Sequence, residues 1–244
     1  MEIKEFLEES ERIFAKNPEV DMPSKEKLEQ MFGLTEIMLE VNSHMNLTAI
    51  TDLVGIILKH YVDSLVVSRY IPEGSSVIDV GCGAGFPSLP LAIARPDLTI
   101  TALDSTEKRI RYVSDTARKL GLQNITAIAG RAEEYANKSE HRESFDIATA
   151  RAVADLPILA ELCLPYVKMG GKFISMKAAK GDEELESARN AIKLCGGANA
   201  KLIRTDITAD GETYEKRRLI IVDKVEKTPT NYPRNFGRIL KKPL

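Results

Sequence analysis

The sequence predicts an α/β protein whose mostly parallel, doubly wound sheet ends in an antiparallel hairpin and follows an N-terminal helical extension. A short β-branched strand at residues 77–80 runs into a glycine-rich turn and then a helix. Strand and helix signals go on alternating to residue 177, the pattern of a parallel sheet covered by helices. Two β-rich segments, 201–208 and 217–225, then flank Ala209-Asp210-Gly211-Glu212, which is a hairpin signal.

The extension covers residues 1–72 and is predicted to be helical and packed on the main domain. Apolar residues recur there at roughly helical spacing: Leu28, Met31, Phe32, Ile37, Met38 and Val41. A second helix is expected from about residue 54 to 70, since Pro72 cannot continue it. The main domain then occupies residues 73–226 and a basic tail residues 227–244.

The main domain is predicted to contain five strands before its hairpin, with helices between them. The strands are expected at 77–80, 98–103, 124–129, 145–150 and 172–177. The helices are expected near 87–94, 106–120 and 155–168. Ligands of such a sheet lie beyond the carboxyl ends of its strands, so the loops 81–87, 104–106, 130–134 and 151–155 are the candidate site.

The first of these loops is the most informative part of the chain. Its strand ends in an acidic residue and three glycines follow at every second position, then an aromatic residue: Asp79, Gly81, Gly83, Gly85 and Phe86. A dinucleotide site needs G-x-G-x-x-G, and no register of this loop supplies the third glycine. The pattern instead resembles the S-adenosylmethionine loop of Rossmann-like class I methyltransferases. A purely structural glycine-rich turn is the alternative.

Two further acids follow the next strands. Asp104 ends the second strand, 21 residues after Gly83, where such folds bind the ribose hydroxyls of a cofactor. Its alternative role is to cap the next helix together with Ser105 or Thr106. Glu133, after the third strand, is a candidate acceptor for the adenine amino group, and a solvated charge pair on a loop is equally consistent with the sequence.

The loop after the fourth strand is informative for what it lacks. It reads Ala150-Arg151-Ala152-Val153-Ala154-Asp155 and contains neither the N/D-P-P-Y/F motif of amine methyltransferases nor a cysteine nucleophile. A target that needs no general base suits such a site, and guanine N7, whose lone pair is free, is one. Catalysis would then consist of alignment and electrostatics.

Composition favours a cytoplasmic protein without a membrane segment or a metal site. The apolar stretch from residue 53 to 67 is interrupted by charged residues, and the acidic N-terminus does not resemble a signal peptide. The three cysteines are scattered and form no metal-binding pair. Residues 1–60 hold twelve acids and six Lys or Arg, whereas residues 227–244 hold five cations and no acid. The tail is therefore a candidate for RNA phosphate contacts.

Several segments together resemble the small-subunit (16S) rRNA methyltransferase G family, also called glucose-inhibited division protein B. Residues 42–50 (N-S-H-M-N-L-T-A-I) and 59–64 (K-H-Y-V-D-S) precede the glycine loop as in that family. The match continues in order through residues 103–109, 131–134 and 150–152, and it extends to the Tyr232-Pro233-Arg234 tail. The glycine loop alone identifies only the superfamily, whereas the two segments ahead of it identify the family.

The resemblance implies methyl transfer from S-adenosylmethionine to N7 of one guanine, guanine 527, in the 530 loop of 16S rRNA. The substrate would lie within the small ribosomal subunit, and the enzyme would be a monomer. By the family's motifs, Gly81 and Phe86 contact the cofactor, and Ala132 with Glu133 frame its adenine. Arg151 lies at the reaction end of the pocket, where it would touch the cofactor and position the substrate without a general base.

Other expectations remain open at this point. Asn46, His60 and Asp63 match family positions, and His60 with Asp63, three residues apart on a helix, could equally form a buried structural pair. A class I methyltransferase acting on another RNA or a small molecule would share the cofactor pocket. A non-catalytic rRNA-binding factor would be expected to have lost Asp104 or the glycines.

Overall fold

The computed structural model describes residues 1–179, 181–209 and 212–244. Its centre is a seven-stranded sheet in the order β3-β2-β1-β4-β5-β9-β6. Strands β1 to β5 are parallel, and β9 pairs antiparallel with both β5 and β6. The strands of this sheet are β1 Ser76–Val80, β2 Thr99–Asp104, β3 Ile125–Ala129, β4 Phe145–Arg151, β5 Val167–Lys177, β6 Gly197–Arg204 and β9 Arg218–Lys224. The predicted doubly wound sheet is confirmed.

Helices cover both faces of the sheet. They are α1 Ile3–Ala15, α2 Lys25–Met45, α3 Leu53–Gly55, α4 Asp63–Leu65, α5 Ser88–Ala94, α6 Glu107–Lys119, α7 Ala132–Tyr135, α8 Leu156–Cys163, α9 Gly181–Leu194 and α10 Phe236–Lys241. Successive strand residues point to opposite faces. Val77 packs in the core formed with the N-terminal helices, α5 and α6, whereas Ile78 packs in the core formed with α8, α9 and α10.

The predicted helix over residues 54–70 is more complex than its sequence pattern indicates. Helices α3 and α4 are joined by a π-helical segment, Ile56–Val62, and a separate 3₁₀ turn covers Ser68–Tyr70. π-helical turns occur often at functional sites. Here the widened turn holds His60, and Asp63 follows it at the start of α4.

Two other boundaries were predicted wrongly. The helix expected over 155–168 ends at Cys163, and after a 3₁₀ turn that contains Pro165 the strand β5 begins already at Val167. The strand expected over 201–208 ends at Arg204, and a separate two-stranded ribbon pairs β7 Ile207–Ala209 with β8 Glu212–Glu215. Asp210 and Gly211, the centre of the predicted hairpin turn, lie outside the described residues.

The basic tail is packed against the main domain. Arg234 donates from Nε (2.8 Å) and Nη2 (2.6 Å) to the carboxylate of Glu161, which is fully buried in α8. Arg142 donates to three tail carbonyls, those of Thr228, Pro229 and Tyr232. Of the five tail cations that made this segment a candidate for RNA phosphate contacts, Arg234 is therefore committed to an ion pair within the protein.

Within the described residues, no helix combines the length and the apolar character needed to cross a membrane.

Candidate active site

The glycine loop bends sharply because its glycines adopt left-handed backbone angles. Gly81 has φ +78° and Gly83 has φ +57°, which side chains disfavour. A Cβ on Gly81 would also lie 2.5 Å from Cγ2 of Val153, so a side chain here would both strain the backbone and displace Val153. The N–H groups of Gly81 and Cys82 both donate to the carbonyl of Leu103, which ties the loop to the end of β2.

Asp104, at the end of β2, holds the glycine loop in place. Its Oδ2 accepts from the N–H of Gly83 (2.9 Å) and its Oδ1 accepts from the N–H of Thr106 (2.8 Å). The side chain is 8% exposed and lines a cavity. Asp104 therefore faces the candidate cofactor site. The alternative helix-capping role is not seen, because the N-cap of α6 is Thr106, the helix has no side-chain cap hydrogen bond, and at this helix Asp104 bonds only the N–H of that cap residue. A carboxylate can accept about four hydrogen bonds, so each oxygen keeps a free lone pair.

This first cavity, of about 310 Å³, lies beyond the carboxyl ends of β1 to β4. Among the predicted cofactor residues, Gly81, Asp104, Ala132 and Glu133 line it. Glu133 is 6% exposed and accepts from Nε of Arg131 at 2.9 Å.

Sequence reasoning did not assign every lining residue to the site, and Phe236 is the example farthest from the predicted loops. Phe236 of α10 closes the cavity, with its ring 4.8 Å from the guanidinium carbon of Arg131. The sequence of the tail indicated only its positive charge, so it gave no reason to place Phe236 at the cofactor site.

Four predicted cofactor residues, Asp79, Gly83, Gly85 and Phe86, do not line the first cavity. Asp79 is 1% exposed, its Oδ2 accepts from the hydroxyl of Ser88, and its Oδ1 has no partner among the described residues. Burial raises the pKa of Asp79 to about 6, against the hydrogen bond from Ser88, which lowers it. Asp79 thus connects β1 to the start of α5.

A second cavity, of about 420 Å³, adjoins the first, and the two share Ala152. The second cavity is lined by Ile50, Lys59, His60, Asp63, Arg151, Ala152, Met176, Lys177, Ala178, Glu184 and Arg217. Arg151, which we expected at the reaction end of the pocket, therefore belongs to this neighbouring space. Ala152 has a left-handed φ of +56°, and its small side chain stands where the two cavities meet.

Asp63 links two arginines. Its Oδ2 accepts from Nη1 of Arg151 at 3.0 Å and its Oδ1 accepts from Nε of Arg217 at 2.7 Å. The predicted alternative, a buried pair of His60 and Asp63, is therefore wrong: both residues are buried, but Asp63 pairs with the two arginines. Arg217 was not recognised from the sequence, because it lies 154 residues from Asp63 and starts an ordinary strand pattern.

His60 is held by the segment that carries the family motif. Its Nε2 lies 3.0 Å from the hydroxyl of Thr48, and its ring stacks on Phe86 at 4.5 Å between centroids. Burial, reinforced by the positive charge of Arg151, lowers the pKa of His60 to about 4, so the ring is neutral at pH 7. Asn42 bonds both the N–H and the carbonyl of Thr48, at 2.9 Å each. Asn46 ends α2 in a left-handed conformation, φ +50°, which is a structural role.

Among the residues that the structure describes, no group of three or more His, Cys, Asp or Glu could hold a metal ion.

A family model described as rRNA small subunit methyltransferase G matches residues 27–208. The chain belongs to this family. The match includes the glycine loop, Asp104, Glu133 and Arg151 but ends before Arg217 and the tail.

Individual relatives agree with the family assignment. The ribosomal RNA small subunit methyltransferase G of Lactobacillus delbrueckii subsp. bulgaricus is 46% identical over 211 residues, which cover 85% of this chain and 87% of the relative. The protein of the same name from Staphylococcus carnosus is 44% identical over 238 residues, 96% of this chain and 98% of the relative.

Solved structures share the fold at low sequence identity. The 4+2 cyclase SpnF has a TM-score of 0.55 at 17% identity, covering 84% of this chain and 97% of that chain. A SAM-dependent O-methyltransferase from Thermotoga maritima has a TM-score of 0.51 at 15% identity, covering 69% and 66%. Because one of the two is named as a cyclase, the structural similarity indicates the fold but not the activity. The fold is that of class I methyltransferases, and the family's cofactor is S-adenosylmethionine.

Proposed function

We propose that this protein transfers a methyl group from S-adenosylmethionine to N7 of guanine 527, in the 530 loop of 16S rRNA. Two adjoining cavities carry the proposal: one has acids suited to adenosine, and the other has an arginine that is fixed by Asp63 and keeps one edge free for a substrate. Membership of the rRNA small subunit methyltransferase G family supports the RNA target. One chain forms both cavities, so a monomer suffices, and an rRNA target places the enzyme in the cytoplasm.

The residues of the first cavity fit S-adenosylmethionine. Gly81 exposes backbone where a side chain would fill the space next to Val153. Asp104 keeps lone pairs for the ribose hydroxyls, and Glu133 is a buried acceptor suited to the adenine amino group. When bound, the cofactor supplies an electrophilic methyl group on its sulfonium.

The second cavity suits an acceptor atom that needs no deprotonation. Neutral His60 already contacts the hydroxyl of Thr48, and both oxygens of Asp63 are bound by arginines. The remaining carboxylate, Glu184, is fixed through one oxygen by Lys177 and by the N–H of Leu156. Guanine N7 attacks through its own lone pair, so no proton has to leave before the methyl transfer. What the protein must supply is alignment of N7 with the methyl carbon, and exclusion of water from the junction at Ala152.

Arg151 is the residue we assign to that alignment. Its Nη1 is committed, since it donates to Asp63, to the carbonyl of Lys59 at 3.1 Å and towards the hydroxyl of Ser64. Its Nε and Nη2 bond to no described residue, which leaves one edge of the guanidinium as a two-nitrogen fork. Such a fork binds a phosphate or a base edge bidentately and stays charged throughout.

The test uses small ribosomal subunits from a strain that lacks the protein. The purified enzyme is incubated with them and with methyl-labelled S-adenosylmethionine, and 7-methylguanosine is mapped by strand cleavage at the modified base. We expect label at guanine 527 and none in subunits that carry adenine there. Label at another position or on a small molecule would indicate one of the other methyltransferase functions. Cofactor binding without any transfer would indicate a non-catalytic rRNA-binding factor.

A further inference from the structure

A guanine-N7 enzyme faces a selectivity problem that its reacting atom cannot solve. Adenine also presents an N7 with a free lone pair, in the same five-membered ring. The two bases differ on the opposite edge, where guanine offers the N1–H and N2–H donors and the O6 acceptor. Adenine offers an N1 acceptor and an N6 donor there. A hydrogen-bond acceptor placed to meet N1–H and N2–H, together with a donor to O6, would therefore select guanine over adenine.

The second cavity contains such a pair on the wall formed by β5 and α9. Lys177 is the last residue of β5 and Glu184 lies in the first turn of α9. Nζ of Lys177 lies 2.6 Å from Oε2 of Glu184 and donates to the carbonyl of Ala154 at 2.5 Å. The same Oε2 accepts from the N–H of Leu156 at 2.9 Å, so the carboxylate is fixed by two donors.

Each member of this pair, which lines the second cavity, keeps one unused hydrogen-bonding position. Oε1 of Glu184 has no hydrogen-bond partner in the described part of the chain, and the side chain is 22% exposed. The other carboxylate that lines the cavity, Asp63, has both oxygens bound by arginines. The ammonium of Lys177 has three hydrogens and uses two of them, which leaves one donor.

We propose that Glu184 and Lys177 are specificity-determining residues that read the Watson–Crick edge of the target guanine. Oε1 of Glu184 accepts from N1–H and N2–H, and Nζ of Lys177 donates to O6. Adenine in the same position sets its N1 lone pair against the carboxylate and its N6 amino group against the ammonium, and is rejected. The assignment rests on the proposed guanine-N7 function.

The pair also has a structural role, because Glu184 accepts from the first N–H of α8. The experiment must therefore separate recognition from folding. Glu184→Gln keeps the shape and an oxygen for Leu156, but it turns an amide N–H₂ towards N1–H of guanine. Glu183→Gln is the matched control, since it makes the same charge change one residue earlier, on an exposed side chain.

Substrates are small subunits reconstituted with 16S rRNA that carries guanosine, inosine or adenosine at the target position. Inosine keeps N7, O6 and N1–H but lacks the N2 amino group. For the wild-type enzyme we expect kcat/KM to fall about 10- to 100-fold on inosine, the loss of one hydrogen bond to a charged acceptor. For Glu184→Gln we expect a fall of about 100-fold on guanosine and little further loss on inosine. Glu183→Gln should behave as the wild type does.

Three outcomes overturn the inference. The first is equal activity of the wild-type enzyme on guanosine and inosine, which decides the matter even if the variant fails to fold. The second is an equal inosine penalty in the wild type and in Glu184→Gln. The third is weaker cofactor binding in Glu184→Gln that accounts for its whole defect. Absence of any transfer to N7 by the wild-type enzyme would instead refute the proposed function itself.

Discussion

Replacing Asp79 with asparagine should make the protein more stable at neutral pH. Asp79 is buried with one hydrogen bond, from Ser88, and burial raises its pKa from 3.8 to about 6. A shift of about two pH units corresponds to about 3 kcal/mol of unfolding free energy lost when the group is ionised. Asparagine keeps the acceptor for Ser88 but introduces an amide N–H₂ group whose two hydrogens have no acceptor, and leaving this buried group unsatisfied costs about 1–2 kcal/mol. We expect a net gain of about 1–2 kcal/mol.

The pH dependence identifies the cause. A raised folded-state pKa means that the native protein holds the proton more tightly, so this stabilisation is complete below about pH 4 and is lost as the pH rises through about 6. The advantage of Asp79→Asn should therefore be present above pH 6 and vanish towards pH 4. His60 acts oppositely, because its pKa is lowered to about 4 and stability falls as the pH drops from 6.5 to 4. His60 is common to both proteins, so its effect cancels in the difference.

Urea unfolding of wild type and variant between pH 4 and 8 measures this difference. Ser88→Ala is the companion variant, since it removes the donor to Asp79 and should lower stability at pH 7. A gain in Asp79→Asn that does not change with pH, or a loss at pH 8, would refute the burial argument. Affinity for S-adenosylmethionine, measured by calorimetry on the same variant, then tests the predicted cofactor role. A fall of tenfold or more would show that the charge is retained for the ligand at the expense of stability.

Three further outcomes are expected. Asp104→Ala should weaken S-adenosylmethionine binding by about 1–3 kcal/mol in calorimetry, because ribose hydroxyls lose their acceptor; unchanged binding would remove Asp104 from the site. Arg151→Ala and Asp63→Asn should both lower methyl transfer more than cofactor binding, and equal losses would make Arg151 a plain cofactor ligand. Arg234→Ala should lower unfolding free energy by about 3–5 kcal/mol, since it leaves a buried carboxylate unpaired. The exposed Arg238→Ala should change it by less than about 0.5 kcal/mol, and similar effects of the two would contradict the burial argument.

The cofactor half of the site could be predicted because its signals are local. Left-handed glycines, an acid at a strand end and a helix start follow one another within a few residues. The doubly wound topology then brings the ends of β1, β2 and β3 together, so that Gly81, Asp104 and Glu133 meet although they are far apart in sequence. Local sequence patterns were sufficient to predict these three residues together, because the regular order of parallel strands brings their loops to the same edge of the sheet.

The substrate half could not be predicted in the same way. Asp63 meets Arg151 and Arg217 across 88 and 154 residues, and no periodicity encodes which cations pair with which acid. The tail shows the same limit. Its local charge of five cations indicated phosphate binding, yet Arg234 pairs with the buried Glu161. A count of charged residues shows that the tail has excess positive charge, but it does not show which cations are exposed. RNA contact by the exposed tail cations therefore stays a prediction.

The two cavities differ in charge, and the difference follows from what each would bind. Adenosine presents hydroxyl and amino donors, and the first cavity meets them with the acids Asp104 and Glu133. RNA presents phosphates, and the second cavity is lined by Arg151, Arg217 and further cations whose pairing with Asp63 leaves a net positive charge. The two acids of the first cavity are balanced by Arg109 and Arg131, so the second cavity attracts phosphates more strongly than the first does. Under the proposed function, a nucleotide of the RNA would enter on one side of Ala152, which lines both cavities, and the cofactor on the other. Two nucleosides would then share one active site without competing for it.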